Sequence, residues 1–270
     1  MTRVEYSVAG LTDTGKVRQT NEDSFLVSAD KRLFVVADGQ PSGDCGATAS
    51  RIAIETLKSL WSDLGSDDLA DDTKIRSWLQ QSLTSANVAI WKDQQNEKRG
   101  GSTSIVASIQ ADDKIHIAHV GVSRAYIMRN GEFKALTLDH DVVTMMIQAG
   151  RFSEEQVKEI KSGKIHSCPP SIITRSLGNN DEVEIDLIES ETKAGDWLLL
   201  CTDGLFKLVQ EERIGQVLNT CATADEACKQ LLESTFEEGA HDNVTIIAVK
   251  YGNCDKTQEM KARAVDCKPC

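Results

Sequence analysis

A run of apolar residues, Leu33-Phe34-Val35-Val36-Ala37, stops at Asp38-Gly39, and the pattern recurs where Trp197-Leu198-Leu199-Leu200-Cys201-Thr202 meets Asp203-Gly204. Such runs read as buried strands. Each leaves a carboxylate where the backbone quits the sheet, and the following glycine lets the chain turn sharply and leaves its own carbonyl accessible. Two more acidic sites open strands instead of closing them: Asn21-Glu22-Asp23 precedes Ser24-Phe25-Leu26-Val27, and Asp242-Asn243 precedes a run from Val244 to Val249. Carboxylates gathered from four such strand ends would repel one another unless cations sat between them. A cluster of hard divalent ions is therefore the first expectation, because Mg²⁺ and Mn²⁺ prefer carboxylate, carbonyl and water oxygens.

The rest of the chain bounds that idea. At 270 residues it is long enough for one large domain with a substantial core. A net charge of -12 argues against nucleic acid or an anionic membrane surface as the main partner. No apolar run approaches the roughly 20 residues that span a bilayer, and residues 1–8 carry no signal-like stretch, so a cytoplasmic protein is expected. Its 8 cysteines are scattered, which points to reduced thiols, with Cys201, Cys221 and Cys228 in core patterns.

Periodicity sketches the elements. A first strand is expected at 5–9 and a hairpin from 24–27 and 33–37. Helical spacing follows over 46–64, where Ala49, Ile52, Ala53, Ile54, Leu57, Leu60 and Trp61 recur at three and four, and again over 73–96. Strands are expected at 102–110, 115–120 and 125–128, with Asn130-Gly131 as a hairpin turn. Short helices at 141–149 and 153–160 follow, the second opened by Ser153-Glu154-Glu155-Gln156 as a cap. Then come strands at 183–188, 196–201 and 244–251 and helices at 211–218 and 224–236. Long helices followed by runs of strands imply an α+β fold with helices outside antiparallel sheets. A nucleophile elbow, a Walker A loop and a His-Glu-x-x-His helix are all missing from the sequence.

The segment Thr12-Asp13-Thr14-Gly15-Lys16-Val17-Arg18-Gln19-Thr20-Asn21-Glu22-Asp23 resembles the opening motif of the metal-dependent protein phosphatases, the protein phosphatase 2C-like or PPM family, in its bacterial form. Val36-Ala37-Asp38-Gly39, Gly101-Ser102-Thr103, Val120-Gly121-Val122-Ser123-Arg124, Leu138-Asp139-His140, Thr174-Arg175-Ser176-Leu177-Gly178, Cys201-Thr202-Asp203-Gly204 and Asp242-Asn243-Val244-Thr245 follow in the family's order. The match covers residues 5 to 250. It implies a four-layer α/β/β/α sandwich of two antiparallel sheets flanked by helices, forming one catalytic domain over 1–252. A flap at 141–170 would influence substrate choice, and 253–270 would be a mobile tail. It also implies hydrolysis of phosphoserine and phosphothreonine on proteins, by a monomer opposing a serine/threonine kinase. Two Mn²⁺ or Mg²⁺ ions would be held by Asp38, the Gly39 carbonyl, Asp203 and Asp242, with Asp38 bridging. Glu22 would be a ligand directly or through water, Asp23 and Asn243 would support, and Arg18 would grip the substrate phosphate. Taken alone, Arg18 reads as a surface partner of Glu22 or Asp23.

Two positions depart from the family. Gly43 stands where many bacterial members have a histidine proposed as general acid, and Val122 stands where the family has an aspartate that helps hold a third metal. A weakened third site is therefore expected. The same departures leave room for a second reading, a regulatory module that binds phosphoprotein with little turnover. His241, beside Asp242, reads as a loop histidine. The Cys267-Lys268-Pro269-Cys270 tail reads as exposed thiols rather than a zinc site, since no histidine lies nearby.

Overall fold

Leu33, Val35 and Ala37 pack among helix residues such as Leu57, Leu79 and Leu83, while Phe34 and Val36 face Leu198, Leu200, Ile247 and Val249 of another sheet. The strand thus buries both faces, which is why its sequence is apolar throughout instead of alternating. Each such leucine, valine or phenylalanine side chain contributes about 1.5–3 kcal/mol by leaving water.

The computed structural model describes residues 4–28, 32–40, 45–65, 67–97, 100–161 and 172–252. The chain begins with β1 (Tyr6–Asp13), β2 (Asp23–Ser28) and β3 (Leu33–Gln40), then α1 (Gly46–Trp61) and α2 (Asp72–Glu97). Next come β4 (Ser102–Ala111), β5 (Lys114–Val120), β6 (Arg124–Arg129), β7 (Glu132–Ala135), α3 (Val142–Gln148) and α4 (Glu154–Lys161). It finishes with β8 (Asp186–Glu191), β9 (Trp197–Cys201), α5 (Asp203–Phe206), α6 (Glu211–Thr220), α7 (Ala224–Glu237) and β10 (Val244–Tyr251). Two five-stranded sheets result, ordered β1-β10-β9-β6-β7 and β2-β3-β4-β5-β8, and every paired ladder is antiparallel.

Three cores separate four layers. α1 and α2 cover the outer face of the β3 sheet through Ala49, Ala53, Leu57 and Trp61 and through Ile75, Leu79, Leu83, Ala86 and Ile90. Those spacings of three and four put one stripe of each helix on the sheet. On the far side, α6 and α7 cover Trp197, Leu199 and Cys201 of β9 with Ile214, Val217 and Leu231. The expected α/β/β/α sandwich is the observed fold.

The element boundaries show where tertiary pairing overrides local pattern. β1 runs past the expected 5–9 to Asp13, because its register with β10 continues to Asp13 opposite Val244. The strand expected at 183–188 begins at Asp186, where pairing with β5 starts at His119. β7 and α5 had no expectation; β7 is the return arm of the Asn130-Gly131 turn, whose φ values of 53° and 82° suit a tight hairpin. Ser153 caps α4 as expected: its Oγ accepts from Gln156 N at 3.2 Å, and Gln156 Oε1 accepts from Ser153 N at 2.9 Å. Cys201, Cys221 and Cys228 are buried free thiols. The tail, Gly43 and residues 162–171 of the expected flap, with His166 and Cys168, lie outside the described residues.

Candidate metal centre

Asp38 lies two residues before the end of β3, past the expected stop at Ala37, Asp23 opens β2, and the ladder sets the two opposite each other. In the other sheet, Asp203 follows the end of β9, and Asp242 precedes β10, its ladder neighbour. Antiparallel order in both sheets therefore brings all four carboxylates to one end of the sandwich. Glycines make the approach possible. A Cβ on Gly39 would lie 2.3 Å from the Gly46 carbonyl, and one on Gly204 would lie 2.0 Å from that of Asn243.

Hydrogen bonds then stitch the sheets together. Asn243 Oδ1 accepts from Glu22 N at 2.9 Å, while its Nδ2 donates to the Thr14 and Thr20 carbonyls at 3.0 Å each. The Glu22 carbonyl accepts from Gly39 N at 3.1 Å and from Ser50 Oγ at 2.6 Å. Glu22 itself is buried, and its Oε1 lies beside Gly46 at the start of α1. Asp23 is turned inward: Oδ2 accepts from Thr202 Oγ1 at 2.9 Å and Thr245 Oγ1 at 2.7 Å. Thr103 Oγ1 donates to the Asp38 carbonyl at 2.8 Å.

Negative charge is concentrated here. Burial, followed by Asp203, Asp23 and Asp242, holds the Asp38 carboxyl well above its ordinary range, against the pull of Lys207. Burial pushes Asp23 up to about 7; the hydroxyls of Thr245 and Thr202 oppose that rise, and Asp203 and Asp242 add to it. Two cationic side chains meet the cluster. Arg18 Nη2 donates to Asp242 Oδ2 at 2.9 Å, and Lys207 Nζ stands 2.5 Å from Asp203 Oδ2. Burial works against charge on Arg18, but Asp242, Glu22 and Asp38 outweigh it. Arg18 thus reaches a residue 224 positions away in the sequence, with Glu22 and Asp38 adding to the field it sits in.

The donor set is oxygen throughout, which fits hard cations. Among the described residues, three ligand atoms lie within 4.8 Å of one another at His119, His140 and Asp186 and at Asp72, His116 and Glu189, and the Asp38, Asp203 and Asp242 carboxylates are not drawn that close together. The second already holds Lys114 Nζ, 2.6 Å from Asp72 and 2.8 Å from Glu189. The first is histidine-lined and anchors a turn: Gly121 N donates to His140 Nδ1 at 3.0 Å, and His140 N donates back to the Gly121 carbonyl at 2.8 Å.

Residues 14–237 match the sequence profile of the family described as protein phosphatase 2C. The chain belongs to that family. This phosphatase 2C chain is 30% identical to the serine/threonine phosphatase Stp of Listeria innocua, over 92% of its own length and 97% of that protein's. It is 34% identical to the serine/threonine protein phosphatase PstP of Mycobacterium tuberculosis, over 95% of its length and 48% of the relative's. Among solved structures, it is similar to the catalytic domain of PstP in complex with 2 manganese ions, with a TM-score of 0.77, 31% identity, and coverage of 93% of this chain and 100% of that one. The serine/threonine phosphatase of S. agalactiae gives 0.80 and 32%, covering 91% and 99%.

Some features of this phosphatase 2C domain escaped the sequence reading. Lys207 follows Asp203 at the i,i+4 spacing of a helix pair, a signal hidden because four-residue α5 shows no periodicity. The hydroxyls of Thr202 and Thr245, which hold Asp23, stand one residue before Asp203 and two after Asn243. His241, read as a loop histidine, is exposed.

His119 yields a pH prediction. It is fully buried with its ring 4.6 Å from that of His140, and burial, with His140 and Arg175 adding, pushes its pKa down to about 3. His116 and His140 shift the same way, burial first in each. The unfolded chain takes up protons below about 6.5 that the folded chain refuses, so stability is full above that pH and is lost as pH falls toward about 3. Asp38 and Asp23, held above the ordinary carboxylate range, act with the opposite sign over the same window. The histidine contribution is therefore read as a difference: between about pH 7 and about pH 4.5 the Tm of the parent should fall relative to that of His119→Asn in melting followed by circular dichroism. An equal slope in the variant would assign the acid sensitivity to other groups.

Proposed function

We propose that the chain hydrolyses phosphoserine and phosphothreonine on proteins, at a pair of Mn²⁺ or Mg²⁺ ions held by Asp38, the Gly39 carbonyl, Asp203 and Asp242. Glu22 would be a ligand directly or through water. The observation that carries this is the set of carboxylates from both sheets acting on Asp38, with a guanidinium fixed at their edge. Bound there, such ions supply a water of lowered pKa and positive charge for the phosphoryl oxygens.

The protein's own groups do the rest. Arg18 presents a planar fork suited to phosphate oxygens, and Asp242 holds it beside the carboxylates. Asn243 locks the loop before β10 to the loop that carries Arg18, through Thr14 and Thr20. Asp23 acts at one remove, keeping Thr202 and Thr245 in place on either side of Asp203 and Asn243. Val122 offers only methyl groups where the family resemblance places an aspartate, so any third ion is weakly held.

On this reading the catalytic domain spans 1–252 with the flap at 141–170. Its partners are phosphorylated proteins made by a serine/threonine kinase, and it works as a cytoplasmic monomer. No helix among the described residues is long and apolar enough to cross a membrane.

The test is the initial rate of phosphate release from a phosphothreonine peptide with Mn²⁺, with Mg²⁺ and with excess chelator. Hydrolysis that needs the cation and favours the peptide over a small aryl phosphate supports the proposal. Tight peptide binding without turnover in abundant Mn²⁺ would favour the regulatory module instead.

A further inference from the structure

Lys207 lies one turn after Asp203, and its Nζ stands 2.5 Å from Asp203 Oδ2. The carboxylate keeps 13% of its side-chain surface exposed, whereas the lysine keeps 54%. An exposed i,i+4 pair on a helix usually does little, because water screens it. This ammonium differs in what else it faces, since Asp38 and Asp242 act on it as well. It stands at the exposed edge of the carboxylate cluster, within the field of its other members.

Val122 stands opposite Asp203 when the β6–β9 register is continued. The ladder between β6 and β9 ends with Arg124 opposite Cys201, so Val122 and Asp203 each stand two residues beyond the last pair. The turn bearing Val122 is pinned. Gly121 adopts φ 104°, where a Cβ would meet Ser104 Cβ at 2.2 Å, and Ser123 Oγ lies 2.8 Å from Ser104 Oγ. Ser104 is in turn the ladder partner of Asp38. A carboxylate at position 122 would add an acidic group on the register position facing Asp203. The chain has instead a buried valine there and an ammonium on Asp203.

We propose that Lys207 is the fixed cation of this centre, occupying Asp203 Oδ2 where a further divalent ion would otherwise have to sit, so that the site takes two ions and no third. The inference rests on the dinuclear reading above and adds a residue to it. An ammonium donates hydrogen bonds and coordinates nothing, so Lys207 neutralises and orients Asp203 while Oδ1 stays available to a metal. It is a positioning residue and makes no contact with substrate in this scheme.

The test counts ions. Mn²⁺ binding is measured by titration calorimetry and equilibrium dialysis on the whole chain and on Lys207→Gln, Lys207→Arg, Val122→Asp and the Val122→Asp/Lys207→Gln pair. The parent and Lys207→Arg should bind two ions with matching affinity. Removing a positive charge from beside the site should tighten Mn²⁺ binding in Lys207→Gln by at least about tenfold. Val122→Asp alone should stay at two ions and the double variant reach three. Two ions in the parent, with the same number and affinity in Lys207→Gln, would overturn this proposal alone, as would three ions in Val122→Asp with Lys207 intact. A parent that binds no Mn²⁺ at millimolar concentration would overturn the dinuclear reading and this proposal with it.

Discussion

Asp38→Asn is expected to lower kcat on a phosphothreonine peptide by on the order of 10³-fold or more, because charge stabilisation by a metal pair supplies several kcal/mol and Asp38 is its proposed bridge. The fold should survive the change. Asp38 is held through its backbone, by its ladders to Asp23 and Ser104 and by Thr103 Oγ1 on its carbonyl. The side chain itself is a liability without cations, since burial, Asp203, Asp23 and Asp242 all disfavour its charge. In chelator, the variant should therefore melt at the same temperature as the parent or higher. Activity and chelator Tm measured together decide the matter. Loss of both would make Asp38 a structural residue, and retained activity would remove it from the chemistry.

Arg18→Ala is the second large effect. Hydrogen bonds to charged groups are worth about 1.5–3 kcal/mol, so losing the fork should cost about 10- to 150-fold in kcat/KM. Inorganic phosphate should weaken as an inhibitor by a similar factor. Arg18→Lys should restore only part of either, because an ammonium cannot reproduce bidentate geometry. Stability should barely move: the pair with Asp242 is 37% and 38% exposed, and such pairs contribute about 0–1 kcal/mol. A variant with unchanged kcat/KM and phosphate inhibition would mean that Arg18 serves only its ion pair with Asp242.

Most of the architecture was legible because burial on both faces leaves a signature in single strands. β3 and β9 are unbroken apolar runs, and each divides its residues between two cores. α1 and α2 were legible for a different reason, the stripe at three and four that faces the sheet. What escaped depended on partners distant in sequence. Gly10, Thr12 and Asp13 look like turn residues, yet they belong to β1 because β10 pairs with them.

The same division holds at the site. Asp38 and Asp203 announced themselves where apolar runs stop at Asp-Gly, and Asp242 by preceding one. The partner of Arg18 was not legible, because local context offers only Glu22 and Asp23 while the fold supplies Asp242. Asp23 was expected as a supporting residue, but its burial under the hydroxyls of Thr202 and Thr245 depends on residues 179 and 222 positions away. Lys207 left no signal in the sequence, because the short helix α5 has no period and Asp38 and Asp242 come within its field only through β3 and the loop before β10.

The most direct measurement is an anomalous difference map from crystals of the chain grown with abundant MnCl₂. Two peaks sharing contact with Asp38, and touching Asp203, Asp242 and the Gly39 carbonyl, are the expected result. Peaks confined to His119, His140 and Asp186, or none beside Asp38 at full Mn²⁺ saturation, would contradict it.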